Sequence, residues 1–326
     1  MQNITFDGAQ QTIDSAEKKQ AAQKPKFDEK NYLNTRLKKG EKSKEIKIRL
    51  LPFDKDSSTP FKIIDMHTVK VPKEISESGW KSYVCLKKTE DIDHNIYGDR
   101  CPFCEKKDAA FKEAEAETDE ILKKKWYDIG KANFSQKVCI VRCIERGHEE
   151  DGPKFWKFTL RSDGKDPYHA MINIMENRRS EAIDEGIDPI CVFDIYKGKD
   201  FKLNIEAVYT KSGEWTNKVS ISVYDYGSNK PISQNEDQMK AWIEDEKKWS
   251  DVFAIKPYEY LSLISENKTP FFDREKGKWV ENTRNKDKQD DNQEMDKVIE
   301  NAKNEAISQE KVVNNNNIQE ENDLPF

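Results

Sequence analysis

The chain has 326 residues, of which 56 are Lys or Arg and 62 are Asp or Glu, a formal net charge of −6. Only 35% of residues are hydrophobic and 36% are charged, against about 45–50% and 25% in ordinary globular domains, so the whole length does not fit one compact core. No run of about 18 apolar residues occurs and the first residues lack a charged-then-apolar leader, so neither a membrane span nor secretion is expected.

Charge is unevenly spread. Residues 281–326 hold 6 basic and 12 acidic side chains, a net of −6, while 1–280 hold 50 of each. Inside that neutral body, 36–85 carry 12 basic against 7 acidic residues and 121–180 carry 13 against 8. Two basic windows in a neutral body can build one positive groove, although ordinary surface charge gives the same count.

Residues 1–35 are polar and read as a flexible arm. From Glu45, Ile46, Ile48 and Leu50 alternate with Lys47 and Arg49, a half-buried strand closed by Pro52. Extended runs follow at 61–71 and 80–86, and the Ala-, Glu- and Lys-rich stretch 105–125 predicts one helix. Further strands are expected at 136–145, 154–161, 190–196, 201–209 and 217–226, with turn signals at 151–153, 197–199 and 212–213. Ser233 with Glu236 forms a capping-box pattern opening a helix through Met239, Trp242 and Ile243, and a short helix is expected near 258–264. Many short strands separated by turns indicate a mainly β protein with helical insertions, a small antiparallel barrel or sandwich. From about Glu281 aromatics vanish until the last residue, so 281–326 reads as a disordered acidic tail.

Cys101-Pro102-Phe103-Cys104 places two thiols where they can share one ion, and Cys85 lies upstream. His67 and His94 both offer a fourth ligand, and spacing leaves that choice open. Four protein ligands leave no open position, so such a zinc is structural and supports a loop-rich segment with little core of its own. A glutaredoxin-type redox pair and two unrelated buried thiols are the competing readings; the polar loop 94–100 before Cys101 lacks the buried strand of a redox site. The H-x-E and P-C-x-x-C pattern of zinc deaminases is absent. Cys139, Cys143 and Cys191 lie in apolar strands and read as core.

Aromatic residues make up 10% of the chain, and several adjoin basic residues: Trp126, Tyr127, Lys131 and Phe134, then Lys154, Phe155, Trp156, Lys157 and Phe158. Tyr97 lies in the polar loop before the C-x-x-C pair. Cations that neutralise phosphates and flat rings that stack on unpaired bases are what a single-strand binder needs. Alternation puts Phe155 and Lys157 on one face of their strand and Trp156 and Phe158 on the other, so one aromatic face must be core.

The stretch KIRLLP, TPFKIIDMHTV, GWKSYVC and YGDRCPFC resembles the single-stranded DNA-binding, helix-destabilising proteins of T-even-type bacteriophages, with looser similarity through VCIVRCI, KFWKF, YHAMI and KLNIEAVYTKSG. The resemblance covers about 36–265 and is specific over 46–104. It implies an OB-fold core at 36–280 with an inserted structural zinc subdomain at about 61–125. It also implies one zinc held by His67, Cys85, Cys101 and Cys104, and DNA contacts from Arg49 and the aromatic and basic residues near 126–158. The arm 1–35 would serve cooperative self-association on DNA, but carries no Lys or Arg before Lys18; beside Phe134, where the family has a second aromatic, stands Ser135. The tip Asp323, Leu324, Pro325 and Phe326 resembles the acidic tip of bacterial single-stranded DNA-binding proteins, which docks into partners. The function expected is coating of single-stranded DNA in phage replication, recombination and repair, in the cytoplasm of an infected bacterium, with replication and recombination proteins recruited by the tail. A zinc-ribbon interaction or transcription module is the alternative. No paired carboxylates, nucleophile–base pair or P-loop stand in a convincing context, so no enzymatic activity is expected.

Overall fold

The computed structural model describes residues 29–282 apart from Lys39 and Asp91. The expectations for 1–28 and for the acidic tail beyond 282, with its tip at 323–326, lie outside the described residues. Among the described residues nine strands run in chain order: β1 (Ser43–Leu51), β2 (Phe61–Lys70), β3 (Trp80–Val84), β4 (Ser135–Glu145), β5 (Lys154–Thr159), β6 (Asp200–Tyr209), β7 (Trp215–Tyr226), β8 (Pro270–Asp273) and β9 (Lys278–Glu281). The α-helices are α1 (His94–Tyr97), α2 (Pro102–Ala116), α3 (Glu120–Ala132), α4 (Pro167–Asp184), α5 (Glu236–Glu244), α6 (Trp249–Val252) and α7 (Tyr258–Ser265).

Seven strands form one antiparallel sheet in the order β3-β2-β4-β1-β6-β7, with β5 on the remaining edge of β4. β1 and β2 lie end to end along the same edge of β4: Leu51 pairs with Arg142 and Phe61 with the adjacent Val141. Loop 52–60 bulges out between them. The outer strands β3 and β7 do not pair with each other, so among the described residues the architecture is a mainly antiparallel sheet with helices and not a closed barrel.

Side-chain alternation sorts the sheet into two apolar clusters. Ile46, Ile48, Leu50, Cys139, Val141, Cys143, Trp156, Phe158, Phe201, Leu203 and Ile205 share one, under Met171 of α4. Ile64, Met66, Val138, Ile140 and Phe155 belong to the other, together with Cys85, Cys101, Phe103 and residues of α7. β5 is therefore buried on both faces, with Phe155 and Trp156 each 1% exposed. The segment leading into β1 contributes as well. Leu33 donates its backbone N–H to the Phe155 carbonyl at 3.1 Å, and the Tyr32 ring packs edge-on against Phe253 at 5.3 Å. Residues 29–35, expected within a flexible arm, are thus docked along β5, where they cover a free sheet edge.

Three buried or half-buried arginines fasten later segments to the sheet. Arg49 donates to the carbonyls of Asp194 (2.7 Å) and Lys230 (2.9 Å) and lies 3.7 Å from Asp200. Arg142 donates to the Trp242 and Asp245 carbonyls at the end of α5, where orphan C=O groups attract cations. Arg146 donates twice to Asp200 and once to the Ile232 carbonyl. Gly198 permits the wrap around Arg49, because a Cβ there would stand 2.3 Å from the Asp194 carbonyl oxygen.

Several expected elements differ. The helix over 105–125 is two: α2 ends at Ala116, and Asp119 caps α3 by accepting from the N–H groups of Ile121 and Leu122. Residues 190–196 form turns, not a strand; the Asp194 carbonyl serves Arg49 and Val192 and Phe193 enter the core, while Cys191, expected there too, is exposed. Asn235, not Ser233, caps α5, and Ser233 instead bonds Gln238. Helix α4 and hairpin β8–β9 were not among the expected elements, although Asp166-Pro167 is a start signal, an N-cap followed by Pro at N1. No helix among the described residues is long and apolar enough to cross a membrane.

Candidate metal centre and nucleic-acid interface

His67 comes from β2, Cys85 from the turn after β3, and Cys101 and Cys104 from the start of α2. Their donor atoms lie within 4.8 Å of one another and all four residues are buried. The Cys85 and Cys104 sulfurs are 3.5 Å apart, and His67 Nε2 lies 3.4 Å from the Cys101 sulfur and 3.6 Å from that of Cys104. Two sulfurs each ~2.3 Å from one tetrahedral ion stand about 3.7 Å apart, so the spacing suits a single four-coordinate metal. His94 is exposed and bonds the Gly98 carbonyl instead; it has no part in the cluster.

Local structure explains the convergence. Cys101 is the N-cap residue of α2, Pro102 opens the helix, and Cys104 follows within its first turn. The sulfurs thereby sit at the positive end of the helix dipole, which favours thiolates. His67 donates from Nδ1 to the Asn133 carbonyl at 2.9 Å, which leaves Nε2 facing the sulfurs, as metal-binding imidazoles require. Asn133 is itself held at the end of α3, its side chain donating to the Ile129 carbonyl. No side-chain pattern points to Asn133, because its backbone does the work.

The electrostatics suit a cation. Burial works against an imidazolium, yet the Cys101 and Cys104 sulfurs outweigh it and raise His67 to about 9. Hydrogen bonds with Cys104 and Cys85 pull the Cys101 thiol far below its usual range, and contacts with Cys101 and Cys104 push Cys85 far above it. The proton that the sulfurs draw onto the imidazole occupies the place that one positive ion would take.

The surroundings are not poor in core. Phe103 packs between His67 and Tyr83 at centroid distances of 5.2 and 6.1 Å, and Tyr83 meets Tyr260 of α7. Outside, Arg100 and Tyr258 both bond Glu105, and Lys106 reaches the Ser265 carbonyl, tying α2 to α7. The cluster belongs to an apolar core shared with the sheet, which differs from the loop-rich, core-poor segment expected.

Among the residues expected to touch DNA, four lie inside the protein. Arg49 is 0% exposed, held by carbonyls and Asp200; burial lowers its pKa to about 10, so it stays charged at neutral pH. Lys154 is buried between Glu145 (2.7 Å) and Asp151 (2.9 Å). The Trp156 and Phe158 rings meet at 4.5 Å, tilted by 52°, within the core. A ring packed on both faces cannot take a base, so these four are structural. Lys157 is half-buried over the Phe253 ring at 4.9 Å, and burial depresses its pKa. Tyr97 packs partly against the metal-side core.

The rest form a surface patch. Trp126 is half-buried on α3, while Tyr127, Lys131 and Phe134 are exposed. Phe111 of α2 lies 6.0 Å from the Tyr127 ring and 5.7 Å from that of Phe134, and the Lys107 ammonium is 5.4 Å from the Phe134 centroid. Gly130 makes this packing possible, since a Cβ there would meet the Phe111 ring at 2.6 Å. Phe111 and Lys107 were not anticipated; their place one and two turns beyond Cys104 on α2 is the signal that could have marked them. No protein-family model matches the chain, and no curated protein matches it in sequence.

Proposed function

We propose that this chain is a non-enzymatic protein that coats single-stranded DNA without regard to sequence, serving phage DNA replication, recombination and repair as the helix-destabilising proteins it resembles do. The observation that carries the reading is the patch on α3. Tyr127 and Phe134 expose rings near the exposed Lys124, Lys125 and Lys131, and the Lys107 ammonium at the Phe134 ring is paired with Asp108 at 2.8 Å. The lysines would neutralise phosphates while the rings stack on unpaired bases, about 1–3 kcal/mol per base. Phe134 directly follows Asn133, whose carbonyl holds His67, so order at the metal site is order in the patch.

Three thiolates and an imidazole form a soft donor set that favours zinc, in a closed site with a structural role. We take β5-β4-β1-β6-β7 as an OB-type barrel left open between β5 and β7. The acidic tail 281–326, through Asp323, Leu324, Pro325 and Phe326, would dock replication and recombination proteins, and the N-terminal arm would serve self-association.

Titration with dT oligomers tests the reading. Tight, length-dependent binding with quenched Trp fluorescence is expected, with log K falling against log[salt] by about 0.7 per phosphate neutralised. Duplex preference, or no binding, overturns it.

A further inference from the structure

The α3 patch is not the one exposed surface where rings meet lysines. Along β6 and β7, Phe201, Leu203, Ile205 and Val223 turn into the core and are 0–8% exposed. The intervening side chains turn outward, and there Tyr224 and Tyr226 remain 49% and 40% exposed. Register aligns Lys47 of β1, Lys202 of β6 and Tyr224 of β7 across three strands, with Tyr226 opposite Asp200 in the neighbouring row. The Lys47 ammonium lies 4.4 Å from the centroid of the Tyr226 ring. Lys202 is paired with Glu45 at 3.3 Å, but Lys47 and the exposed Lys218 sit in no ion pair among the described residues.

Neither tyrosine serves the core, which lies on the other face of these strands. Two residues apart on one strand, the rings are about 6.8 Å from each other, twice the ~3.4 Å step between stacked bases. Each ring can therefore accept its own base from an extended strand. A duplex hides its base faces, so such a surface favours unpaired nucleic acid. Lys47 and Lys202 lie beside the rings, and Lys218 stands about 20 Å further along the same face of β7, where the phosphates of an extended strand would run.

We infer that the outward face of β1, β6 and β7 is a second base-stacking surface, on which Tyr224 and Tyr226 each take one base of a single strand while Lys47, Lys202 and Lys218 neutralise its phosphates. The inference rests on the single-strand reading above, but concerns different residues and can fail separately.

The test uses the full chain and a dT oligomer at fixed salt. Tyr224→Ala and Tyr226→Ala should each weaken binding about five- to 150-fold, whereas Tyr→Phe at both positions keeps the rings and stays within about twofold. Lys47→Ala and Lys218→Ala should each reduce the salt slope by about 0.7. An oligomer carrying iodouracil, irradiated on the wild-type protein, should cross-link to Tyr224 or Tyr226, a readout independent of any variant's folding. Wild-type binding with unchanged affinity in the Ala variants, or cross-links confined to other residues, overturns this surface and leaves the function standing. Absence of wild-type binding overturns both.

Discussion

Around His67, three sulfurs and an imidazole from β2, the β3 turn and α2 crowd within 4.8 Å, while near Arg49 the chain gathers Arg49, Arg146 and Lys230 about the Asp200 carboxylate, with those of Asp194 and Glu149 close by. Both regions hold distant segments against one sheet with buried polar groups. They differ in where the balancing charge comes from. Asp200 takes Arg146 at 2.9 Å on one oxygen and Lys230 at 2.7 Å on the other, and backbone carbonyls serve Arg49. That region is neutralised from within the chain. The cysteine cluster presents only donors, an arrangement consistent with a cation taken from outside. On the proposed reading, a chain low in apolar residues has one fastening that depends on its surroundings and one that does not.

The two regions should part most clearly when metal is withdrawn. The purified protein should carry about one zinc per chain, held most firmly at neutral pH and released as pH falls, because imidazole and thiolates must be deprotonated to bind. Cys104→Ser or a strong chelator should remove it and speed hydrogen exchange in β2, β3 and the start of α2, while β6 and β7 stay protected. Binding energies on the order of 10 kcal/mol in small zinc domains make this the largest effect. Well under one metal per chain, with no change on chelation, would mean the cluster is only buried thiols.

The second region should respond to no chelator, yet fail when its carboxylate is removed. Asp200→Ala leaves Arg49 buried with carbonyls alone, and breaking a buried pair from one side costs about 3–5 kcal/mol. Urea unfolding should show that loss in midpoint at nearly constant slope. A cost below about 1 kcal/mol would show that the carbonyls alone suffice.

A smaller effect comes from a site that depends on neither feature. Asp166 caps α4, accepting from the backbone N–H groups of Arg161 (2.8 Å) and His169 (3.1 Å), with His169 Nδ1 at 2.8 Å. Burial raises its pKa, but these hydrogen bonds outweigh burial and lower it overall. A depressed folded pKa means the stabilisation is complete above the unfolded value near ~3.9 and is lost as pH falls through the folded one. Asp166→Ala should cost about 1 kcal/mol at neutral pH and progressively less in acid. A cost that does not change with pH would assign the effect to packing alone.

Much of the candidate metal site was legible because its chemistry is local. Cys101 and Cys104 are three residues apart, and a helix start brings that spacing together wherever it lies. Choosing His67 over His94 needed more: the pairing of β2 with β3 and β4, and the Asn133 carbonyl that turns the ring, are long-range facts. Strand positions were legible for β1, β2, β4, β6 and β7, since alternation is set by the two-residue period of the backbone.

Alternation along a strand settles which side chains share a face, and the fold settles whether that face meets water. Arg49 alternates with Ile48 and Leu50 as an outward residue should, yet loop 192–198 and the Lys230 carbonyl close over it. Trp156 and Phe155 lie on opposite faces of β5 as alternation requires, and both are buried because each face has its own cluster. Tyr224 and Tyr226 share the face of Lys202 and stay open, because the segment that closes over Arg49 leaves them uncovered. Periodicity is a property of one strand, whereas burial depends on what the rest of the chain lays upon it.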